Sequence, residues 1–317
     1  MVWRARSTAP GTRLLVSPTG ARYRIASVPA ETSVRDISPD GRRVVLVRFT
    51  ESAATVTVVE LRTGHSRSFT VPNYLEQVRF TRPMGRALLL SYGMSSDRIE
   101  RRSLTGARMV TIATGVPVGS ADVLPSLDGR YLLHQVAGGI AVQGNATGVL
   151  IRRLPAPKGQ TCLPRRWWNA TTAVVACTAT GSALSQVWLY PLSGAPARQL
   201  TRIPADQGFG ADTAWPTRAG TLLREPANCG PSRIGWLTSA GRMRPMTWPG
   251  LPNPAGAVPD VGAVVDSHAY LMLSDCSDPR AYALVRYDLA GHSARTLAGP
   301  GANGGTVSGY AVIDPNA

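Results

Sequence analysis

The sequence has a single lysine, Lys158, among its 34 basic residues, and only 19 acidic ones. The arginine bias is most simply the codon usage of a GC-rich genome. The resulting formal charge of +15 is nonetheless physical and favours anionic partners. Nucleic acid is not indicated as one of them. Aromatics make up 6% of the chain, no basic cluster is interleaved with them, and no basic helix is visible. No apolar run reaches the ~18 residues of a helical membrane span. The opening "MVWRARSTAPGTR" lacks the hydrophobic segment of a signal peptide, so the chain is expected to be either cytosolic or a trimmed mature form with an added Met. C-x-x-C is missing, which leaves zinc and thioredoxin-like readings poor, and neither G-x-S-x-G nor H-E-x-x-H occurs. The one dense acidic stretch, "SDCSDPR" (274–280), reads as a polar loop rather than a calcium loop. Neither a metal nor a cofactor is expected.

What the chain does have is a repeat. The stretches "ELRTGHSRSF" (60–69) and "DLAGHSARTL" (288–297) are nearly the same ten letters. Similar turns place glycines at Gly20, Gly64, Gly106, Gly148, Gly194, Gly241 and Gly291, with separations of 44, 42, 42, 46, 47 and 50. A second series, "ISPDGRRVVLV", "RPMGRALLL" and "SLDGRYLL", puts Gly41, Gly85 and Gly129 at intervals of 44, with weaker echoes at "WNATTAVVA", "TRAGTLL" and "DSHAYLML". Each repeat therefore holds two hairpin turns and four strands, and runs such as "RVVLVRF", "TVTVVEL" and "QVWLYPL" supply β-branched and aromatic residues between them. No capped amphipathic helix is seen. Four short strands at a period in the forties predict an all-β β-propeller. There are seven outer turns but six inner ones, and the tail "GGTVSGYAVIDP" reads as an innermost strand with nothing after it. The expectation is a seven-bladed propeller of four-stranded antiparallel blades. It would form a single domain over 1–317, closed by pairing residues 1–30 with a strand at about 304–312.

"DISPDGRRVVLV" resembles the inner hairpin of TolB-like propellers, relatives of the WD-repeat proteins, and "VWLYPLSGAPARQLT" resembles their outer hairpin. The resemblance implies an envelope-associated or secreted binding protein. Related propellers also precede hydrolase domains, but none is expected to follow here.

The four cysteines are Cys162, Cys177, Cys229 and Cys276. Cys162 and Cys177 lie symmetrically about Asn169–Ala170, so a hairpin turning there would set the two sulfurs face to face, and a bridge is predicted. Cys229 and Cys276 fall in equivalent loops, "EPANCGPS" and "SDCSDPR", and a Cys229–Cys276 bridge is predicted between neighbouring blades. The alternative is four buried free thiols. Disulfides would favour an oxidising, extracytoplasmic compartment.

Candidate site residues follow from the repeat. Polar residues on innermost strands, Asp36, Arg79, Asp122, Arg166 and Asp212, form either a ligand-binding ring or a self-paired channel lining. Every outer turn is followed by an arginine: Arg22, Arg67, Arg108, Arg152, Arg198, Arg242 and Arg295. These form either a cationic rim that grips a repeating anionic polymer or a membrane surface through many weak contacts, or a guard of charges that stops exposed strand edges from pairing. The tryptophans, including Trp167, Trp168, Trp215 and Trp236, read as blade packing. His65, His268 and His292 fall in turns, and His134 in a strand. The functional expectation is a non-catalytic, extracytoplasmic scaffold. It would be monomeric, without a membrane span, and would bind another protein or an anionic envelope component. The alternatives are a lyase or hydrolase working at the central channel, and an electrostatic binder of envelope polymers.

Overall fold

The computed structural model describes residues 2–6, 12–16, 22–27, 32–93, 98–114, 123–225, 233–251, 258–275, 278–299 and 306–311. The chain divides into two compact units, one of residues 1–73, 227–232 and 247–314, the other of residues 74–226, 233–246 and 315–317. The first unit holds β1 (Val2–Arg6), β2 (Thr12–Val16) and β3 (Arg22–Ser27), then the sheet of β4 (Ser33–Ile37), β5 (Arg43–Phe49), β6 (Ala53–Glu60) and β7 (Ser66–Pro72). The second unit has four sheets. They are built from β8 (Leu75–Phe80), β9 (Ala87–Tyr92), β10 (Arg98–Ser103) and β11 (Arg108–Thr114); β12 (Leu124–Pro125), β13 (Tyr131–Val136), β14 (Gly139–Gly144) and β15 (Leu150–Pro155); β16 (Gln160–Asn169), β17 (Thr172–Ala179), β18 (Ser185–Pro191) and β19 (Arg198–Gln199); and β20 (Thr213–Thr217), β21 (Gly220–Arg224), β22 (Ile234–Leu237) and β23 (Met243–Pro245). The last strands, again in the first unit, are β24 (Val258–Val265), β25 (His268–Asp275), β26 (Asp278–Asp288), β27 (Ser293–Ala298) and β28 (Thr306–Ala311). Among the described residues no helix is long and apolar enough to cross a membrane.

The molecule is an all-β propeller, but the expected count of seven blades is wrong. Its strands form six sheets, five of four strands and one of eight, and so six blades. The eight-stranded sheet runs β24-β25-β26-β28-β1-β2-β3, and β27 also pairs with β26. β28 pairs antiparallel with β1 through Val2↔Ala311 and Trp3↔Tyr310, and it also meets β26 at Ala281↔Val307. That second pairing joins strands the turn spacing had set apart as a closing blade.

Burial follows strand order within a sheet. The second strands are covered on both faces: every residue of β9 is buried, as are Val44–Val47 of β5. The fourth strands are largely exposed, as on β7, β11 and β15. A strand buried on both faces reads as a continuous apolar run, and "VVLV" and "ALLL" do so. The turns between strands carry the backbone strain expected of tight hairpins. Gly129 has φ +74°, and a Cβ there would lie 2.0 Å from the carbonyl oxygen of Arg82. In the later part of the chain two non-glycine residues take over such positions, Asp266 at φ 55° and His292 at φ 50°.

Neighbouring blades pack face to face. Leu133, Ile140 and Leu154 from one sheet of the second unit meet Cys162, Trp167, Val175 and Tyr190 from the next. Trp167 is fully buried, and its indole N–H donates to the Pro125 carbonyl at 2.8 Å, so the ring crosses the blade boundary without an unsatisfied donor. Trp215 is also buried, and Trp168 packs against a second apolar cluster around Val174 and Leu223. Cys162 and Cys177 are directly opposed, 4.1 Å apart at Cα, and disulfide-bonded. The hairpin turns one residue later than expected, at Ala170–Thr171. Two register shifts in β16, between Pro164 and Arg166 and between Trp167 and Asn169, bring the cysteines back into opposition. The predicted Cys229–Cys276 bridge lies outside the described residues.

Removing β28 should leave β1 and β26 with unpaired edges. Truncation before Thr306 is expected to lower the melting temperature by several degrees, at ~2–4 °C per kcal/mol for a chain of this size; thermal unfolding by circular dichroism checks this. The Cys162–Cys177 bridge closes a loop with a sequence separation of 15. Its removal in the Cys162→Ala/Cys177→Ala variant should cost ~3 kcal/mol in the chain-entropy account, measured by denaturant unfolding against the oxidised protein.

Candidate functional site

The first strands of the blades carry a repeated irregularity. β4 has an extra residue at Arg35, β8 at Glu76, β16 at Arg165 and β24 at Gly262, each sitting where the register with the second strand slips. A bulge of this kind lets successive side chains leave the strict alternation of faces and re-aims them. On β16 the consequence is chemical. The consecutive residues Arg165 and Arg166 both reach the next blade. Arg165 approaches Asp212 Oδ2 at 3.7 Å. Arg166, which is buried, donates to the Ala214 carbonyl at 3.2 Å and lies over the Trp215 ring at 5.7 Å. Asp212 is itself buried and accepts from Arg224 Nε at 3.2 Å and Nη2 at 2.9 Å, a two-pronged pairing that fixes the carboxylate.

Of the five inner-strand candidates, Arg166 and Asp212 therefore come to one blade junction, joined by Arg165 and Arg224, which sequence reading did not single out. Asp36 lies on β4 half-buried, its Oδ1 accepting from the Ile37 amide at 2.9 Å. Arg79 is half-buried on β8 opposite Leu89. Asp122 lies outside the described residues. Beside Arg79, Gln77 uses its side-chain carbonyl to accept from the Val123 amide of the next blade at 3.0 Å.

A second charged centre was missed altogether. Glu100 on β10 is fully buried. Its carboxylate accepts from Arg98 at 2.8 Å and from Arg102 at 2.8 and 2.9 Å, with the largely exposed Arg108 at 4.0 Å. Burial alone would raise its pKa, but the hydrogen bonds and charges of Arg102 and Arg98 outweigh it and hold the carboxyl below its ordinary value. The neighbouring Tyr92 hydroxyl donates to Glu100 at 3.3 Å, and burial together with that negative charge pushes the phenol up to about 12. A lone acid inside "RIERR" was the available signal.

The histidine in a strand is engaged structurally. His134 is buried, with Nε2 2.7 Å from Gln143 Oε1 and Nδ1 2.9 Å from the Gln135 carbonyl. Gln143 is held in turn by donating to the Ile112 and Gly148 carbonyls. No group of three or more potential metal-ligating side chains occurs among the described residues.

The outer arginines sit where the repeat put them. Arg67, Arg108, Arg152, Arg198, Arg242 and Arg295 are exposed and lie on or next to the fourth strand of their sheets. Arg22 is on β3, and its side chain lies outside the described set. Arg108 lies 4.0 Å from Glu100, and Arg152 donates to the Leu192 carbonyl at 3.3 Å.

With this geometry in hand, comparison with solved structures places the fold. The β-propeller domain of the trilobed protease from Pyrococcus furiosus matches 94% of this chain and 93% of its own, with a TM-score of 0.60 at 12% identity. A prolyl endopeptidase gives 0.60 at 13% identity over 93% of this chain and 49% of that one. The acylaminoacyl peptidase of Pyrococcus horikoshii gives 0.59 at 11%, over 90% and 48%. The chain thus spans about half the length of these two peptidases. TolB proteins are also among the matches, that of Acinetobacter baumannii at 13% identity and a TM-score of 0.49 over 97% of this chain and 62% of that one. What the chain shares with the first three is the propeller fold. No protein-family model and no curated protein matches the chain.

The Glu100 centre makes stability depend on pH. Its folded-state pKa lies below the usual 4.5, so its contribution is complete above that value and is lost as pH falls through the folded-state value. Glu100→Gln should cost ~3 kcal/mol at neutral pH by leaving guanidinium groups without their buried partner. It should also flatten the acid limb of the stability curve, which chemical denaturation measured from pH 7 downward will read.

Proposed function

We propose that this chain is a non-catalytic, extracytoplasmic binding propeller that recognises another protein or an anionic envelope component on its exterior. One observation carries the reading. The buried polar groups best placed for chemistry are engaged internally: His134 by Gln143 and Gln135, Asp212 by Arg224 and Arg165, Glu100 by Arg98 and Arg102. The accessible polar groups repeated from blade to blade are arginines. A catalytic base needs a ring nitrogen or carboxylate oxygen aimed at a substrate position, and His134 has both nitrogens turned to amide oxygens. The enzyme reading therefore draws no support from His134, and the peptidase neighbours share only the propeller fold.

The Cys162–Cys177 bridge supports the compartment, since such bonds persist in oxidising surroundings. The exposed arginines support an anionic partner. Each alone contributes little and is screened within ~8 Å at physiological salt, so the interaction would come from their number.

The test is a change of Arg67, Arg198 and Arg242 to Gln. The wild type should be retained on an immobilised anionic polymer in a salt-dependent way, and the triple variant should elute at clearly lower salt with an unchanged melting temperature. Equal elution of the two proteins at low salt would leave the arginines as guards of strand edges only.

A further inference from the structure

The outer edge of the β12–β15 blade departs from the others. On β7 the exposed residues are mostly polar, and on β11 Met109 is the exposed large apolar residue. On and just before β15, three consecutive apolar residues stand in solvent: Val149, Leu150 and Ile151 are 62%, 46% and 53% exposed. Arg152 and Arg153 follow directly and are exposed too. β15 ends its sheet, and among the described residues its strand partner is β14 alone, so one side of its backbone is unpaired. Natural edge strands are normally blunted by charge, proline or a bulge against pairing. Here the edge carries a bulge at Ile151, where the pairing with β14 slips from Val142↔Arg152 to Gln143↔Leu150, but the charged residues lie beside the apolar run instead of interrupting it.

The edge also borders a concavity. Ile151 and Arg152 line a cleft of about 540 Å³ that reaches Thr171, Leu192 and Ser193 of the next blade and is also lined by Asp128 and Arg130, an ion pair at 3.5 Å. Arg152 bridges the two blades there by donating to the Leu192 carbonyl at 3.3 Å.

We propose that this edge takes up an extended segment of a partner protein as a fifth strand on β15, a segment with apolar residues against Leu150 and Ile151 and carboxylates against Arg152 and Arg153. Added strands gain affinity from main-chain hydrogen bonds and specificity from alternate side chains. The free edge supplies the first, and the cleft beside Ile151 supplies a place for the second. Charge selects the occupant. Two copies of β15 paired edge to edge would bring arginines of like sign together, which opposes pairing, whereas an acidic strand meets complementary charge. A lipid surface would accept Val149–Ile151 and the arginines, but it offers nothing to the unpaired N–H and C=O groups of the edge, which are costly to bury in hydrocarbon.

The inference rests on the reading of the chain as a binding propeller, yet it can fail separately, because Arg67, Arg198 and Arg242 lie elsewhere. The experiment uses the full chain and a short, end-blocked, fluorescent peptide of alternating valine and threonine carrying two glutamates at one end. Anisotropy should show saturable binding, weakened about tenfold or more, a difference the affinity scale resolves easily, by Ile151→Lys, by N-methylation of alternate peptide amides, or by lysine in place of the glutamates. Because Ile151 is exposed, the variant's melting temperature should match the wild type. If it does not, the N-methylated peptide on the wild-type chain decides. The proposal is overturned if the peptide does not bind while retention on the anionic polymer persists, or if the N-methylated peptide binds equally well. It is also overturned if Ile151→Lys instead abolishes binding to phosphatidylglycerol vesicles or self-association in sedimentation.

Discussion

A four-stranded antiparallel sheet whose middle strands are apolar on both faces cannot stand alone in water, and the covering of those faces is the constraint on which the rest depends. In this chain "VVLV" of β5 and "ALLL" of β9 are buried throughout, which a single-sided sheet would not allow. A neighbouring sheet has to lie on each face. In the second unit that packing can be followed from cluster to cluster: Leu89 and Ile99 meet Val123 and Leu132, Leu133 and Leu154 meet Trp167 and Val175, and Val174 and Leu189 meet Ala214 and Leu223. Buried leucine, isoleucine or tryptophan truncated to alanine costs ~2–5 kcal/mol each. The blades are therefore held mainly by shape and apolar area, and the hydrogen bonds that cross between them, such as Trp167 to Pro125 and Tyr190 to Pro155, satisfy buried groups at the same boundary.

This division explains why so much of the fold was legible. Hairpin turns need particular residues at fixed places, so their glycines recur at the blade period, and the strand content between them follows. The disulfide was legible for the same reason, because a hairpin relates residues by symmetry. What spacing does not encode is which sheet edge meets which. The turn count treats the strands at the two ends of the chain as a blade of their own, whereas the Ala281↔Val307 pairing makes them continuous with β24–β26. That contact depends on how two separately specified hairpins approach, and no local motif carries such information.

The candidate site was legible in part, and the missing part has a common cause. Asp212 and Arg166 could be named because the repeat places them on first strands. Arg165 could not, because its role comes from an extra residue in β16, and a bulge inserts a residue without a characteristic composition. The same insertions displaced the hairpin turn by one residue while restoring the cysteine register. Glu100 is a different case. Burying a carboxylate is unfavourable unless it is paired and hydrogen-bonded, so an acid set among arginines in a strand, as in "RIERR", can be read as a buried centre once strand alternation is applied to it.

The distribution of charge then acquires a physical logic. Where a chain with an excess of arginine buries an acid, the acid becomes a fixed point around which guanidinium groups are ordered: Arg98 and Arg102 around Glu100, Arg224 and Arg165 around Asp212. Such centres cost desolvation and give back geometry: at Asp212 the approach of Arg165 spans a blade boundary, whereas at Glu100 all the partners belong to one blade. The arginines left on the fourth strands carry no comparable desolvation cost, because they remain in water. They are available either to keep strand edges from pairing or to meet an anionic surface, and these two uses are compatible, since the same exposed charge that repels a second basic edge attracts an acidic one. At β15 the guard is a bulge at Ile151 and not a charge within the run, so Val149, Leu150 and Ile151 stand exposed, and the attraction of Arg152 and Arg153 lies directly beside them. An edge that combines an open backbone, exposed apolar side chains and adjacent positive charge is costly to leave bare, and that cost makes sense if something of opposite charge covers it.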